Sequence, residues 1–196
     1  DDFAEDSLST LKPSGRGGHT AVLIDNVMYI FGGNTVEESF DDHWRIDLNA
    51  VEADMLSADI DHTSLSAADG SQADNGWGRI TPRGRPPQAR IGHSCVAVAR
   101  RMILYGGRNY INRVFCSGVY MFDVDTQVWD HIEAEGSSFV PPDRTGHAAI
   151  SHCNGIIFFG GLVKGAHPQE EEHATSGTIF LDLLGVNLLE HAGIAA

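Results

Sequence analysis

The 196-residue sequence carries 27 acidic and 13 basic side chains, and its net charge of −14 excludes general binding to a phosphate backbone. Hydrophobic residues make up 42% and there are 22 glycines, the balance of a globular core built from many short strands joined by turns. No apolar run approaches the roughly 18 residues that a membrane-spanning helix needs, and no charged-then-apolar leader is visible.

Residues 1–12 are acidic and polar without a clear period and read as a lead-in. Pro13 and Ser14 open the first unit, in which His19 to Ile24 and Val27 to Phe31 are predicted strands. Asp25-Asn26 between them is a natural two-residue hairpin turn, since both tolerate positive φ. Gly32-Gly33 and a polar loop lead to a third strand at His43 to Leu48. An insert over about 49–76 holds six acidic residues and no Lys or Arg, and its composition predicts disorder, with room for a short helix at Val51 to Leu56. Trp77 to Ile80 is a fourth strand, the Pro/Arg/Gly stretch to Pro87 reads as a linker between units, and the first unit spans 13–86.

The second unit, 87–140, has strands predicted at His93 to Val98, Met102 to Tyr105, Val119 to Val124 and Val128 to Ile132. The third, 141–196, repeats the plan with a hairpin turn at Asn154-Gly155, a strong hairpin signal, and a third strand at Thr178 to Leu183. Its fourth strand is poor, with Leu188 or Leu189 where the other units have Trp77 and Trp129.

The units share one pattern. Arg16, Arg90 and Arg144 each stand three residues before His19, His93 and His147. Each His precedes the first glycine of a pair by 13 positions: Gly32-Gly33, Gly106-Gly107 and Gly160-Gly161. Three identical spacings mark an internal repeat, with a period of about 54 residues between His93 and His147. The third strand of every unit carries an Asp at one place: Asp47, Asp123 and Asp182. Four antiparallel strands per unit point to an all-β propeller, in which Trp77, Trp129, Trp44 and Tyr120 are large enough to fill the wedge between twisted blades.

This combination resembles the kelch repeat over about Pro13 to Leu189. The resemblance implies a kelch-type β-propeller of which three four-stranded blades are visible. Propellers have about four to eight blades, so the remaining blades are expected from the same chain or from another.

The repeat His and Arg residues occupy one position in successive blades and read as structural rather than as a metal triad. His167 to His173 (HPQEEEH) fits no metal-ligand spacing and reads as a solvated loop. No nucleophile elbow or oriented Cys-His pair appears, so neither catalysis nor a cofactor is expected, and a propeller-fold enzyme is the minor alternative. Cys95, Cys116 and Cys153 form no CxxC pair and no N-x-S/T sequon occurs, which points to buried reduced thiols and a cytoplasmic location.

The charge is segregated. From Asn75 to Phe122 there is no Asp or Glu, and eight of the 13 basic residues lie there: Arg79, Arg83, Arg85, Arg90, Arg100, Arg101, Arg108 and Arg113. In an up-and-down blade the hairpin turns of strands one–two and three–four share one face, here the turn face. The two–three loops and the linkers share the other, the loop face. Arg100 and Arg101 are expected on the turn face, and Arg83, Arg85, Arg108 and Arg113 on the loop face beside Tyr110. The resemblance implies partner binding through loop-face arginines, and Arg pairs well with carboxylates. The expected function is a protein-binding scaffold module, cytoskeletal in one version, that takes an acidic partner segment. Substrate recruitment for a ubiquitin ligase is the alternative, and needs a BTB or F-box domain outside these residues.

Overall fold

The computed structural model describes residues 12–51, 76–132, 142–153, 155–164 and 173–182. Blade 1 is a four-stranded antiparallel sheet, β1 (Thr20–Ile24), β2 (Val27–Phe31), β3 (His43–Asp47) and β4 (Trp77–Ile80), paired in chain order. Blade 2 contains β5 (Arg83–Gly84), β6 (Ser94–Val98), β7 (Arg101–Tyr105), β8 (Val119–Asp123) and β9 (Val128–Ile132), ordered β5-β9-β8-β7-β6. In blade 3, β11 (Ala148–His152), β12 (Gly155–Phe159) and β15 (Thr178–Asp182) pair in that order. A small sheet of β10 (Arg144–Thr145), β13 (Leu162–Val163) and β14 (His173–Ala174) crowns it. Strand β6 lies between β1 and β11, so the first strands of successive blades are neighbours, as about a common centre. The lead-in to Leu11, insert residues 52–75, most of HPQEEEH and the fourth strand proposed for unit three fall outside the described residues.

Two features depart from the sequence reading. The stretch after blade 1 is not only a linker: Arg83 and Gly84 pair in parallel with Val128 and Trp129, adding a fifth strand to the edge of blade 2. Gly84, at φ +83, has no Cβ to strike the Trp129 carbonyl, which is what lets the segment lie so close. Gly155 is not a turn residue but pairs with His152 inside the β11–β12 ladder, and Cys153 takes the positive φ (51°). Asp25 (52°) and Ala99 (51°) hold the same place in the other two hairpins.

The core is two wedges, one on each side of blade 2. Val22, Ile24, Tyr29, Phe31 and Ile80 of blade 1 meet Met102, Leu104, Phe122 and Trp129. Ile103, Tyr105, Val119, Met121 and Ile132 meet Ile156, Phe158 and Ile179 of blade 3. Strand β7 therefore alternates its apolar side chains between two interfaces, the physical reason for its unbroken apolar run. Each fully buried large side chain contributes about 1.5–3 kcal/mol of transfer free energy. Trp129 and Tyr120 pack in the first wedge, whereas Trp77 and Trp44 pair with Ile46 and Arg79 on the opposite face of blade 1.

Blade 3 ends in an apolar face. Ile150, Phe159 and Phe180 are 62%, 55% and 56% exposed, while the equivalent Val96, Tyr105 and Met121 of blade 2 are 9% exposed or less. The chain covers part of a propeller.

Candidate partner-binding face

The repeat residues lock one blade to the next. Arg90 Nη1 donates to the Gly106 carbonyl (2.9 Å) and Arg144 Nη1 to that of Gly160 (3.0 Å), with Arg16 on Gly32 (3.0 Å) in blade 1. Arg16 also forms a paired salt bridge with Asp42, which in turn accepts from Trp44 Nε1 (2.6 Å). Burial alone would raise the Asp42 pKa, but the bonds from Arg16 and Trp44 outweigh it and lower it.

Arg90 and Arg144 also reach back to the previous blade through their own backbone carbonyls. The Gly33 amide donates to Arg90 O (3.0 Å) and the Gly107 amide to Arg144 O (2.8 Å). A Cβ on Gly32 or Gly106 would stand 2.8 or 2.5 Å from the same carbonyls, so these positions admit only glycine.

The histidines serve the same interfaces. His93 Nε2 is hydrogen-bonded to Thr20 Oγ1 (2.7 Å) and His147 Nε2 to Ser94 Oγ (2.8 Å). Each hydroxyl directly follows the repeat His of the preceding blade, a signal present in the sequence. Burial, with Arg90 and Arg144 nearby, lowers His93 to about 3 and His147 to about 4. His19, with no described blade ahead of it, is exposed. Sequence reasoning missed His43, whose ring is sealed between blades 1 and 2, 4.3 Å from the Phe122 ring and 5.6 Å from that of Trp129. Asp47 and Asp123 shape the turns after their strands. Asp47 accepts from the Asn49 amide (2.9 Å), and Asp123 from the amides of Asp125 (3.1 Å) and Thr126 (3.0 Å). Asp182 ends β15.

The basic window divides between structure and surface. Arg90 is buried, with its guanidinium 4.9 Å from the Tyr120 ring centroid. Arg100 spans two blades on the turn face, bound to Asp125 (2.7 Å) and to Asp25, and Arg101 pairs with Asp123 (3.2 Å). Arg83 is not on the loop face: its Nη2 donates to Thr126 O (2.9 Å) in the turn that holds Asp125. Arg85 is exposed, and its amide bonds Trp129 O (2.8 Å) along the edge of β9. The parallel pairing of β5 carries both away from Arg108 and Arg113.

Arg108, Tyr110 and Arg113 do share one loop, between β7 and β8. Arg108 is fixed by reciprocal backbone bonds with Ile91 (2.9 and 3.0 Å). Asn109 closes the next turn. Its amide donates to Val114 O (2.9 Å), and its Oδ1 accepts from the amides of Ile111 (3.0 Å) and Asn112 (3.2 Å). Asn112 Oδ1 accepts from the Val114 amide (3.1 Å). The polar groups of the loop are thus turned inward. Tyr110, Ile111 and Val114 point out at 44%, 57% and 58% exposure, beside an exposed Arg113 at φ 58°. Arg113 forms no ion pair among the described residues. Arg108 lines a cavity of about 440 Å³ with Ile91, Thr145, Leu162 and Thr175, open on the loop face between blades 2 and 3. A cavity lined by one arginine among apolar and hydroxyl-bearing residues suits a carboxylate on a short apolar stem.

Known proteins place this architecture. The KLHDC2/KLHL20/DRC7 Kelch-repeats domain matches residues 69–183. Multiple epidermal growth factor-like domains protein 8 of Rattus norvegicus is 28% identical over 187 residues, covering 92% of this chain and 6% of that protein. Kelch domain-containing protein 3 of Rattus norvegicus is 24% identical over 161 residues, covering 79% of the chain and 36% of the relative. The Drosophila melanogaster leucine-zipper-like transcriptional regulator 1 homolog is 28% identical, over 82% of the chain and 20% of its own length. The chain spans between 6% and 36% of the length of these three. With a matched domain covering more than half of the chain and three blades built on one repeat, the protein belongs to the kelch-repeat family.

Proposed function

We propose that this segment is a protein-interaction module that binds an acidic partner segment through the loop face of blade 2, without chemistry of its own, as part of a larger intracellular assembly. Kelch proteins commonly mediate protein binding, which supports the class of function. The observation that carries the finer reading is the ordered loop between β7 and β8, which places two arginines beside exposed apolar side chains. Arg90, Arg100, Arg101 and Arg83 are committed to the fold. Arg108 and Arg113 stand on one ordered loop beside exposed Tyr110. An exposed ion pair contributes only about 0–1 kcal/mol. Two arginines acting with an apolar anchor and a partly enclosed cavity contribute more, because the charges are less screened and the loop is already ordered.

The test is charge reversal. Arg108→Glu with Arg113→Glu is expected to abolish partner capture in a pull-down, whereas Arg113→Lys retains most of it. Arg85→Glu, at the edge of β9, is expected to leave capture intact. Undiminished capture by the double variant refutes the proposal.

A further inference from the structure

Blade 1 carries a loop on the same face, and its chemistry is the inverse of blade 2's. Thr35 orders it: its hydroxyl accepts the amides of Glu37 (3.2 Å) and Glu38 (3.1 Å), and its own amide donates to Glu38 O (2.9 Å). The tip presents Val36, 87% exposed, with Glu37, Glu38 and Asp41 also exposed. None of these three carboxylates forms an ion pair among the described residues. The two loops are joined at their stems. The Arg90 amide donates to Phe40 O (3.3 Å) at the end of one, and the next residue, Ile91, holds Arg108 at the start of the other. Two preordered loops of opposite sign, each with exposed apolar side chains, therefore rise from joined stems on one face.

We propose that the loop face is a two-pole docking surface, whose partner presents acidic side chains to Arg108 and Arg113, basic side chains to Glu37 and Glu38, and apolar side chains to Val36, Tyr110 and Ile111 between them. This rests on the acidic-partner reading and adds a second, opposite requirement. A wholly acidic partner meets repulsion at blade 1, and a wholly basic one meets it at blade 2. The pair of poles thus fixes the direction in which the partner lies and rejects segments of uniform sign. The ordered turns mean that little loop entropy is lost on docking.

Three synthetic peptides with a common leucine-containing centre test this by fluorescence anisotropy on the chain: acidic–apolar–basic, acidic–apolar–serine, and acidic–apolar–acidic. The first is expected to bind about tenfold more tightly than the second, the sum of two or three exposed pairs, and the third most weakly. Glu37→Lys with Glu38→Lys is expected to reverse the order of the first and third peptides. Equal affinities for the first and second peptides, or an order unmoved by the lysine pair, overturns the two-pole surface. If Arg108→Glu with Arg113→Glu still abolishes that binding, the acidic-partner reading survives the failure. No binding of any peptide removes both.

Discussion

Two glycines of one conformation separate backbone strain from packing between blades. Gly106 (φ +69) and Gly146 (φ +68) both sit in left-handed space, where a side chain costs about 1–2 kcal/mol. A Cβ on Gly106 would strike Arg144 O at 2.5 Å and His147 Cε1 at 2.9 Å, while one on Gly146 meets nothing within 4 Å. Gly106→Ala is therefore expected to cost about 3 kcal/mol in urea unfolding, and Gly146→Ala about 1 kcal/mol. Equal costs would deny that the repeat glycine serves the next blade. Ala99 pays the same strain at φ 51, in a hairpin position that glycine or asparagine fills better. Ala99→Gly is expected to stabilise by about 0.5–1 kcal/mol, and a lower urea midpoint would contradict the turn geometry. The repeat glycines were legible as a pair, but which one receives the neighbouring carbonyl required the neighbour.

Among the elements, the strands were read closely because their apolar runs and glycine boundaries are local: Val27–Phe31, Trp77–Ile80 and Val128–Ile132 match the expected limits. Strand β5 was not legible. Arg83-Gly84 has no strand composition and pairs only because β9 offers an open edge and Gly84 lets the chain approach. The same distinction governs the candidate site. Placement of Arg108 and Arg113 follows from blade topology, whereas Arg83 is drawn to the Thr126 carbonyl by tertiary pairing. The knob formed by Tyr110, Ile111 and Val114 depends on two asparagine side chains folding inward, which composition does not reveal. Between blades, Ser94→Ala leaves the buried His147 Nε2 without its hydroxyl partner and is expected to cost about 1–3 kcal/mol. Ala148 holds the corresponding position in blade 3, so Ala148→Ser within this segment is expected to change stability by less than about 0.5 kcal/mol. A neutral Ser94→Ala would remove the hydroxyl–imidazole lock from the account.

At the scale of the molecule, both interfaces close over neutral imidazoles. Burial lowers His43 and His93 to about 3 and His147 to about 4. The unfolded chain takes up these protons near the ordinary value of 6.5 and the folded chain does not. Stability is thus full above that value and falls as pH drops below it, by about 1.4 kcal/mol per pH unit for each histidine. The loss continues until the folded values near 3–4 are reached. The urea midpoint is expected to fall steeply between pH 7 and pH 5; a midpoint constant over that range would show that the histidines do not seal the interfaces. The proposed binding divides along the same architecture, since Arg100 and Arg101 pair with Asp25, Asp123 and Asp125 on the turn face while Arg108 and Arg113 share a loop on the other. Amide hydrogen exchange on the chain with and without its captured partner tests this most directly. The account predicts new protection in residues 35–41 and 108–115 and none in the turns around Asp25, Arg100 and Thr126; protection confined to those turns would contradict it.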